Sequence, residues 1–591
     1  MGRLLIKSAI VLDPAKGELF EADVLCEGAV IKKIANSGDI DESGFGPDEV
    51  IDAWGRYLVP GLVDAHLHIE SSMLTPIEFA KAAVVRGTTA IFVDPHEIAN
   101  VHKDGIDLFL KLAELVPLEM FVGISSCVPA THLEDAGNTV GLEDIRALIE
   151  HPRAYGLAEM MNFPGIIHGF GDARSKVDLV FDRGKIVDGH APGVSGDALV
   201  SYITNGKNDG VIRIMDDHES STYEEAREKA EAGMFVALRY GTATKDLDNI
   251  LPALIKNKDS LHRFMLCSDD LEAHELLDRG HMDRTLRRVR SIVMENSNLD
   301  MELATMVALK LACNNPGKYF ERFFKLAGEP GMGEIAEGKR ANLVIFNDLE
   351  YLKVNEVIVR GNLIARAGKL ILPAPDYRYG EFFKTMNVGR TFSADDFKIK
   401  CAAASPKVNV IGAIPNSVLT RKLVLELKSE NGELKADPAK DIAKIAVIER
   451  HKATGKFAVG LVSGLGLKKG VLASTVAHDS HNLMVVGVDD ALMAEAVNKL
   501  AQSSGGMLAL GPGVEAFHPL EVGGLMSPRS MIEISETYQA LKDASKKLGI
   551  TLDNIFMTIS FLALPVIPEL KITNQGIVDV SAFNFVPLIE K

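Results

Sequence analysis

Cysteine is scarce in this chain and never paired. Cys26, Cys127, Cys267, Cys313 and Cys401 are the only five in 591 residues, and no two form a C-x-x-C. A zinc ribbon or a dithiol redox motif is therefore not expected. The odd, scattered set suggests reduced thiols and a cytoplasmic setting. Positive charge is also in deficit: 64 Lys and Arg stand against 81 Asp and Glu, a formal net charge of −17. That balance disfavours general nucleic-acid binding and anionic membrane surfaces, both of which attract basic proteins. It leaves room for an anionic substrate in a locally basic pocket. No stretch reaches the ~18 uncharged apolar residues of a membrane-crossing helix. The N-terminus, MGRLLIKSAIVLDPAKGELFEADVLCEG, meets charges too early for the continuous apolar run of a signal peptide. Low-complexity tracts and clear internal repeats are absent as well.

What is present is the composition of a globular protein with ample core, 47% hydrophobic and 25% charged. At roughly 150 residues per domain the length implies two to four domains. The most informative stretch is VPGLVDAHLHIESS, Val59 to Ser72. Residues i and i+2 of a β-strand point to the same face, so the imidazoles of His66 and His68 can reach one point in space. Divalent cations need that convergence, and neutral imidazole is a preferred ligand. Taken alone, the pair could equally be two polar histidines at a strand end.

The surrounding chain decides between these. The first ~55 residues, including the Gly-rich GDIDESGFGPDE, read as short strands and turns, and a second strand-rich piece runs from Gly331 to Leu370. The two could pair into one discontinuous domain. Between them lie eight apolar strand-like runs, at 58–70, 88–97, 118–128, 154–162, 186–193, 211–220, 234–241 and 263–270. Charged, periodic segments such as TPIEFAKAAVVRG and TYEEAREKAEAG separate them. Eightfold strand–helix alternation predicts an α/β fold with a parallel (β/α)8 barrel, whose catalytic groups lie at the C-terminal ends of its strands. Residues 385–591 break the pattern with strands such as KIAVIER, KFAVGLVSG and LMVVGV and the helix ALMAEAVNKLAQSSGG. They read as a separate α+β domain.

The polar residues at the run ends form a set: His66 and His68 from run one, Glu159 from run four, His190 from run five, His218 from run six and Asp269 from run eight. Four histidines and two carboxylates exceed the needs of one cation. They suit two divalent cations sharing a carboxylate and a hydroxide. Glu159 is the candidate bridge, because a carboxylate can span metals roughly 3.5–4 Å apart. Singly, each residue has a plain alternative, a rim salt bridge or a satisfied polar core group.

The HLH motif, the run-five and run-six histidines and the run-eight aspartate resemble the amidohydrolase superfamily of metal-dependent hydrolases. That resemblance implies a (β/α)8 barrel over residues 58–330 and a small β-sandwich built from 1–57 and 331–384, with the 385–591 domain added. GEIAEGKRANLVIF resembles the superfamily's sandwich return strand. Many binuclear members carry a carboxylated lysine on strand four, where this chain has Glu159. HLHIESSM, DPHEIANV, GLAEMMNFPG, DGHAPG and AHDSHN together resemble the bacterial adenine deaminase family, over nearly the whole chain. The resemblance implies hydrolysis of adenine to hypoxanthine and ammonia in purine metabolism, with two divalent metals. Manganese or iron(II) is expected, and zinc is the alternative. It further implies a homo-oligomer, a dimer, with no nucleic-acid or membrane partner.

In that reading a hydroxide shared by the two ions attacks carbon 6 of the purine. Asp269 is the expected proton shuttle, binding a metal while acting first as base and then as acid. His96 is expected to hydrogen-bond the hydroxide or the tetrahedral centre, and Glu97 a ring nitrogen. A loop contact is the plain alternative for Glu97. Asp94 is expected to orient a neighbour. His478, Asp479 and His481, with Asn482, are expected to bind substrate by capping the barrel mouth, or else to form a solvated turn. Zinc deaminases of the cytidine type carry P-C-x-x-C, which this sequence lacks. A cyclic-amide hydrolase on the same barrel, and a purine- or metal-binding protein without turnover, remain as alternatives.

Overall fold

The computed structural model describes residues 2–590 apart from 41–45, 243, 372, 374 and 416. Residues 41–45, inside the Gly-rich segment expected to be β structure, lie outside the described residues. Five strands come first: β1 (Arg3–Asp13), β2 (Glu18–Glu27), β3 (Val30–Ala35), β4 (Glu49–Asp52) and β5 (Tyr57–Pro60). Eight short strands follow: β6 (Leu62–Leu67), β7 (Thr88–Val93), β8 (Glu119–Ile124), β9 (Ala154–Met160), β10 (Ile186–Gly189), β11 (Asp216–Asp217), β12 (Phe235–Arg239) and β13 (Phe264–Cys267). Then β14 (Leu343–Phe346), β15 (Val354–Val359), β16 (Asn362–Arg366) and β17 (Lys369–Leu370) return to the first group. The two groups thus join in one nine-stranded sheet, in which β5 pairs with β1 on one side and β14 on the other.

Strands β6 to β10 form a five-stranded parallel sheet in sequence order, and each is buried along its whole length. Burial on both faces explains why these strands read as continuous apolar runs rather than as alternations. This sheet curves as half a barrel, and β11 to β13 form a second, three-stranded parallel sheet. The two sheets touch at both edges. Asp269 N–H donates to the His66 carbonyl at 3.1 Å, and His68 N–H donates to the Asp269 carbonyl at 3.3 Å. At the opposite edge Met215 N–H donates to the Val187 carbonyl at 2.9 Å.

Two of the expected strands differ. The run 58–70 is two strands, with Tyr57–Pro60 in the nine-stranded sheet and Leu62–Leu67 in the parallel one. The break falls at Gly61, where a Cβ would lie 2.1 Å from Thr89 Oγ1, so no larger residue fits the crossing. Run six shrinks to Asp216–Asp217. Its side chains replace the ladder: Asp216 Oδ1 accepts from Gly189 N–H at 2.8 Å, and Asp217 Oδ1 from Ala191 N–H at 2.9 Å. The buried Lys229 ammonium, 2.8 Å from Asp217 Oδ2, balances that charge.

The C-terminal region centres on an eight-stranded sheet with strands from Lys407–Ala413 to Val514–Pro519. The expected strands appear as Ile442–Ile448, Phe457–Ser463 and Leu483–Gly487, and the expected helix as Asp490–Gln502. Met493, Val497 and Leu500 of that helix pack on Val471, Val485 and Leu508. Ile445, Val447, Met484 and Val486 join the same apolar core as Leu67, Val93 and Leu266 of the parallel sheets. The loop between strands Val471–Ser474 and Leu483–Gly487 carries His478 to Asn482.

Candidate metal centre

The ends of β6, β9, β10, β11 and β13 bring six buried side chains to one place. His66 is the penultimate residue of β6 and His68 follows its end. Their Nε2 atoms lie 3.1 Å apart. Two neutral imidazoles gain little from that approach unless a proton or a cation sits between their lone pairs. The His66 ring stacks on His218, with centroids 3.9 Å apart and planes 17° off parallel.

Glu159 lies between two histidine sets. Its Oε1 is 3.6 Å from His68 Nε2 and 3.4 Å from His96 Nδ1. Its Oε2 is 2.6 Å from His190 Nδ1 and 3.0 Å from His218 Nε2. One carboxylate thus presents each oxygen to a different pair of nitrogens. Burial opposes its charge, yet His190 and His218 hold the carboxyl well below the usual range. Asp269 Oδ1 is 3.4 Å from His68 Nε2 and 3.9 Å from His66 Nε2. Its other oxygen is 3.3 Å from Arg239 Nη1. Against the cost of burial, His68 and Arg239 keep Asp269 ionised. Its φ of 55° is left-handed, a conformation that side-chain-bearing residues adopt at some cost and that clusters at functional sites.

This donor set fits divalent cations. His66, His68 and Asp269 offer ligand atoms within 4.8 Å of one another, as do His66, Glu159 and His218, and likewise His68, His96 and Glu159. The buried Nδ1 atoms of His66, His96 and His218 and Oδ2 of Asp479 have no hydrogen-bond partner among the described residues. Imidazole and carboxylate together match manganese, iron and zinc in type.

The remaining expected residues surround this cluster. His96 stands at the start of the helix His96–Val101. It contacts Glu159 directly, and its Nε2 is 3.7 Å from Asp479 Oδ1 of the C-terminal region. Asp94 touches two of these histidines: its backbone carbonyl is 3.1 Å from His68 Nδ1, and its side chain is 3.3 Å from His96 Nδ1. Glu97 Oε1 accepts from Ser71 Oγ–H at 3.3 Å and is 3.5 Å from His478 Nδ1. Burial, with Glu70 adding, pushes its carboxyl well above the usual range. Burial likewise pushes Glu70 up to about 7, and burial with Asp269 nearby pushes Asp270 up to about 6. His478 stacks on Phe561 at 4.9 Å, and burial pulls its imidazole down to about 4. His481 is wholly buried, with one ring nitrogen within 4.8 Å of Glu97 and His478. Asn482 sits at the rear of the turn, donating to the Asp135 carbonyl at 2.8 Å.

Sequence reasoning missed Glu70, Ser71, Glu219, Arg239 and Asp270. Glu219 and Asp270 directly follow expected ligands, and Arg239 lies inside run seven at the end of β12, so each lay close to a signal already in view. Glu219 is 3.7 Å from His218 Nε2 and pairs with Arg239. Both line a cleft of about 1000 Å³ between the strand-end loops and the C-terminal region, whose far wall includes Val418 and Phe561.

Known proteins resemble this chain along nearly all of its length. Residues 57–364 match the amidohydrolase family, and residues 417–584 match the adenine deaminase C-terminal domain. An adenine deaminase of Desulfatibacillum aliphaticivorans is 41% identical over 590 residues, covering 99% of this chain and 97% of that protein. The chain belongs to the adenine deaminase family. Another member of that family, from Methanothrix thermoacetophila, is 39% identical over 97% of this chain and 98% of its own length. A solved β-aspartyl dipeptidase from Fervidobacterium islandicum AW-1 aligns with a TM-score of 0.46 and 16% identity, over 63% of this chain and 98% of that one. Family membership places the two histidine sets facing Glu159 in a setting of metal-dependent hydrolysis. No helix among the described residues is long and apolar enough to cross a membrane.

Proposed function

We propose that this chain hydrolyses adenine to hypoxanthine and ammonia, with two divalent cations held by His66, His68, Glu159, His190, His218 and Asp269. The observation that carries the reading is Glu159, whose two oxygens face separate histidine sets. Near-full-length similarity to adenine deaminases supports the substrate. Manganese or iron(II) is the proposed metal, in a cytoplasmic homo-oligomer. The eight parallel strands are taken to close into one (β/α)8 barrel, supported by the edge contacts at Asp269 and Met215. The nine-stranded sheet forms the discontinuous small domain and residues 385–591 the third.

Cations held there would lower the pKa of water to roughly 7 and neutralise developing negative charge. The chain's own groups do the proton work. Asp269, ionised and held by Arg239, accepts a proton from the attacking water as oxygen bonds to carbon 6. Glu97, protonated and buried, donates to a ring nitrogen, so that the electrons of the broken ring double bond rest on a neutral nitrogen. His96 faces the developing tetrahedral centre, held by Asp94 and Asp479. The proton on Asp269 passes to the amino group, which leaves as ammonia, and the second proton of the attacking water is given up to restore Glu97. The exocyclic carbon–nitrogen bond breaks and the carbonyl of hypoxanthine forms. His478, Asp479 and His481 close the substrate side and exclude water.

Ammonia release and metal content, measured on the same preparation, test this reading. Adenine, dihydroorotate and hydantoin are offered in parallel. Turnover of adenine alone with two metals per chain is the expected result. Ring opening of a cyclic amide, or full activity with one tightly bound metal, would overturn it.

A further inference from the structure

One charged group behind the substrate side is not used by this chemistry. Arg450 is among the largest fully buried side chains of the protein. No carboxylate forms an ion pair with it among the described residues. The oxygens of neighbouring Glu449 are taken instead by the backbone N–H groups of His451, Lys452 and Thr454. The guanidinium donates to backbone carbonyls: Nε to His481 at 2.5 Å, Nη1 to Thr385 at 3.2 Å, and Nη2 to Gly523 at 2.9 Å and Thr475 at 3.5 Å. Gly524 lets the planar group lie flat, since a Cβ there would stand 3.0 Å from Nη1. Burial pulls the guanidinium down to about 9, which still leaves it charged at neutral pH. A buried charge without a counter-charge is costly, so a fold that retains one gains something specific from it.

The gain lies in the turn that Arg450 grips. His481 N–H donates to the Ala477 carbonyl at 2.7 Å, and Ala477 N–H donates back to His481 Nδ1 at 3.2 Å. The second bond fixes the tautomer: Nδ1 is the acceptor, so Nε2 carries the proton. That Nε2–H is buried and has no hydrogen-bond partner among the described residues. His481 has a left-handed φ of 50°, so the turn is not the backbone's free choice. Arg450 supplies the external hold, on the carbonyl of that same residue. Only a forked, planar donor reaches the carbonyls of Thr385, Thr475, His481 and Gly523 together, which an ammonium cannot do.

We propose that Arg450 is a positioning residue for substrate recognition: it clamps the 477–482 turn through the His481 carbonyl, so that His481 Nε2–H is a fixed donor beside Glu97 and His478. A ring nitrogen with a free lone pair is the matching acceptor. This rests on the adenine-deaminating reading above.

The test is a double-mutant cycle of R450M and H481A, with R450K alongside, in chains of full length and with metal content measured. R450M should raise KM for adenine about tenfold in the parent, the effect of one lost buried hydrogen bond, and less than about twofold in H481A. R450K should recover only part, because it restores the charge without the fork. Hydrogen exchange should lose protection at 475–482 in R450M and stay unchanged in segments that Arg450 does not touch. An equal KM cost in both backgrounds, or an unmoved KM, would overturn the proposal. If R450M fails to fold, R450K is carried through the same cycle. If the parent chain does not deaminate adenine, the parent reading fails, and the exchange measurement still decides whether Arg450 holds the turn.

Discussion

His66 and His68 leave a buried strand and are aimed by its pleat; His478 and His481 leave a turn and are aimed by hydrogen bonds from elsewhere. The two sides meet within one site, at the contacts of Asp479 with His96 and of His478 with Glu97. On the strand side each group inherits its direction from a sheet buried on both faces, so its position is shared with the whole core. On the turn side direction depends on a few bonds, with Arg450 the chief support. A cation tolerates little error in ligand position, whereas a planar base must enter and leave. The rigid half therefore suits the metals and the clamped half suits the substrate.

That contrast can be broken by substitution on either side. The largest effect is expected for Asp269→Asn. The amide can still lie near the metals but cannot take and return a proton, so kcat should fall by about 10²–10⁴-fold or more. The measurement is kcat in a variant confirmed to hold both metals; a wild-type kcat would move the shuttle to Glu97 or His96. Glu159→Gln should follow. It loses the charge that faces both histidine sets, so metal content and deamination should drop together while circular dichroism stays native. Near-normal activity would remove Glu159 from the bridging role.

Substitution on the turn side should be milder and different in kind. His478→Ala removes a neutral, buried ring stacked on Phe561 and should raise KM about tenfold with metal content unchanged, as expected when a substrate contact is lost. Loss of metal in this variant would merge the two halves and end the comparison. The smallest expected change sharpens it through pH. Burial and Glu70 raise the Glu97 carboxyl well above its usual range, and its proton is lost as pH rises through that raised pKa. Deamination should therefore fall on the alkaline side. Glu97→Gln has no proton to lose, so it should be slow at every pH and lack that limb. A variant that keeps both the rate and the limb would show that Glu97 is not the donor.

The same contrast governs what could be read from the chain. HLH, Glu159, His190, His218 and Asp269 were legible because strand periodicity converts sequence spacing into spatial direction. AHDSHN was found by family resemblance, and no local rule said where its groups would point. Arg450 was invisible, since nothing in KIAVIER marks an arginine that will be buried against four carbonyls. The split of run one at Gly61 escaped notice because the close approach that requires glycine there comes from Thr89, a neighbour only in space. The shortness of run six escaped for a related reason: its aspartates bond to the end of the preceding strand with their side chains, which a hydropathy pattern does not register.

The apolar core that passes from Leu67 and Val93 to Met484 and Val486 ties metal occupancy to regions that supply no ligand. Binding at one end of a cooperatively packed body raises the free energy of unfolding for all of it. Strand Leu483–Gly487 should thus hold more firmly when Glu159, far along the chain, has cations to share, and a chelator would be felt there as a loosening of structure as well as a loss of chemistry.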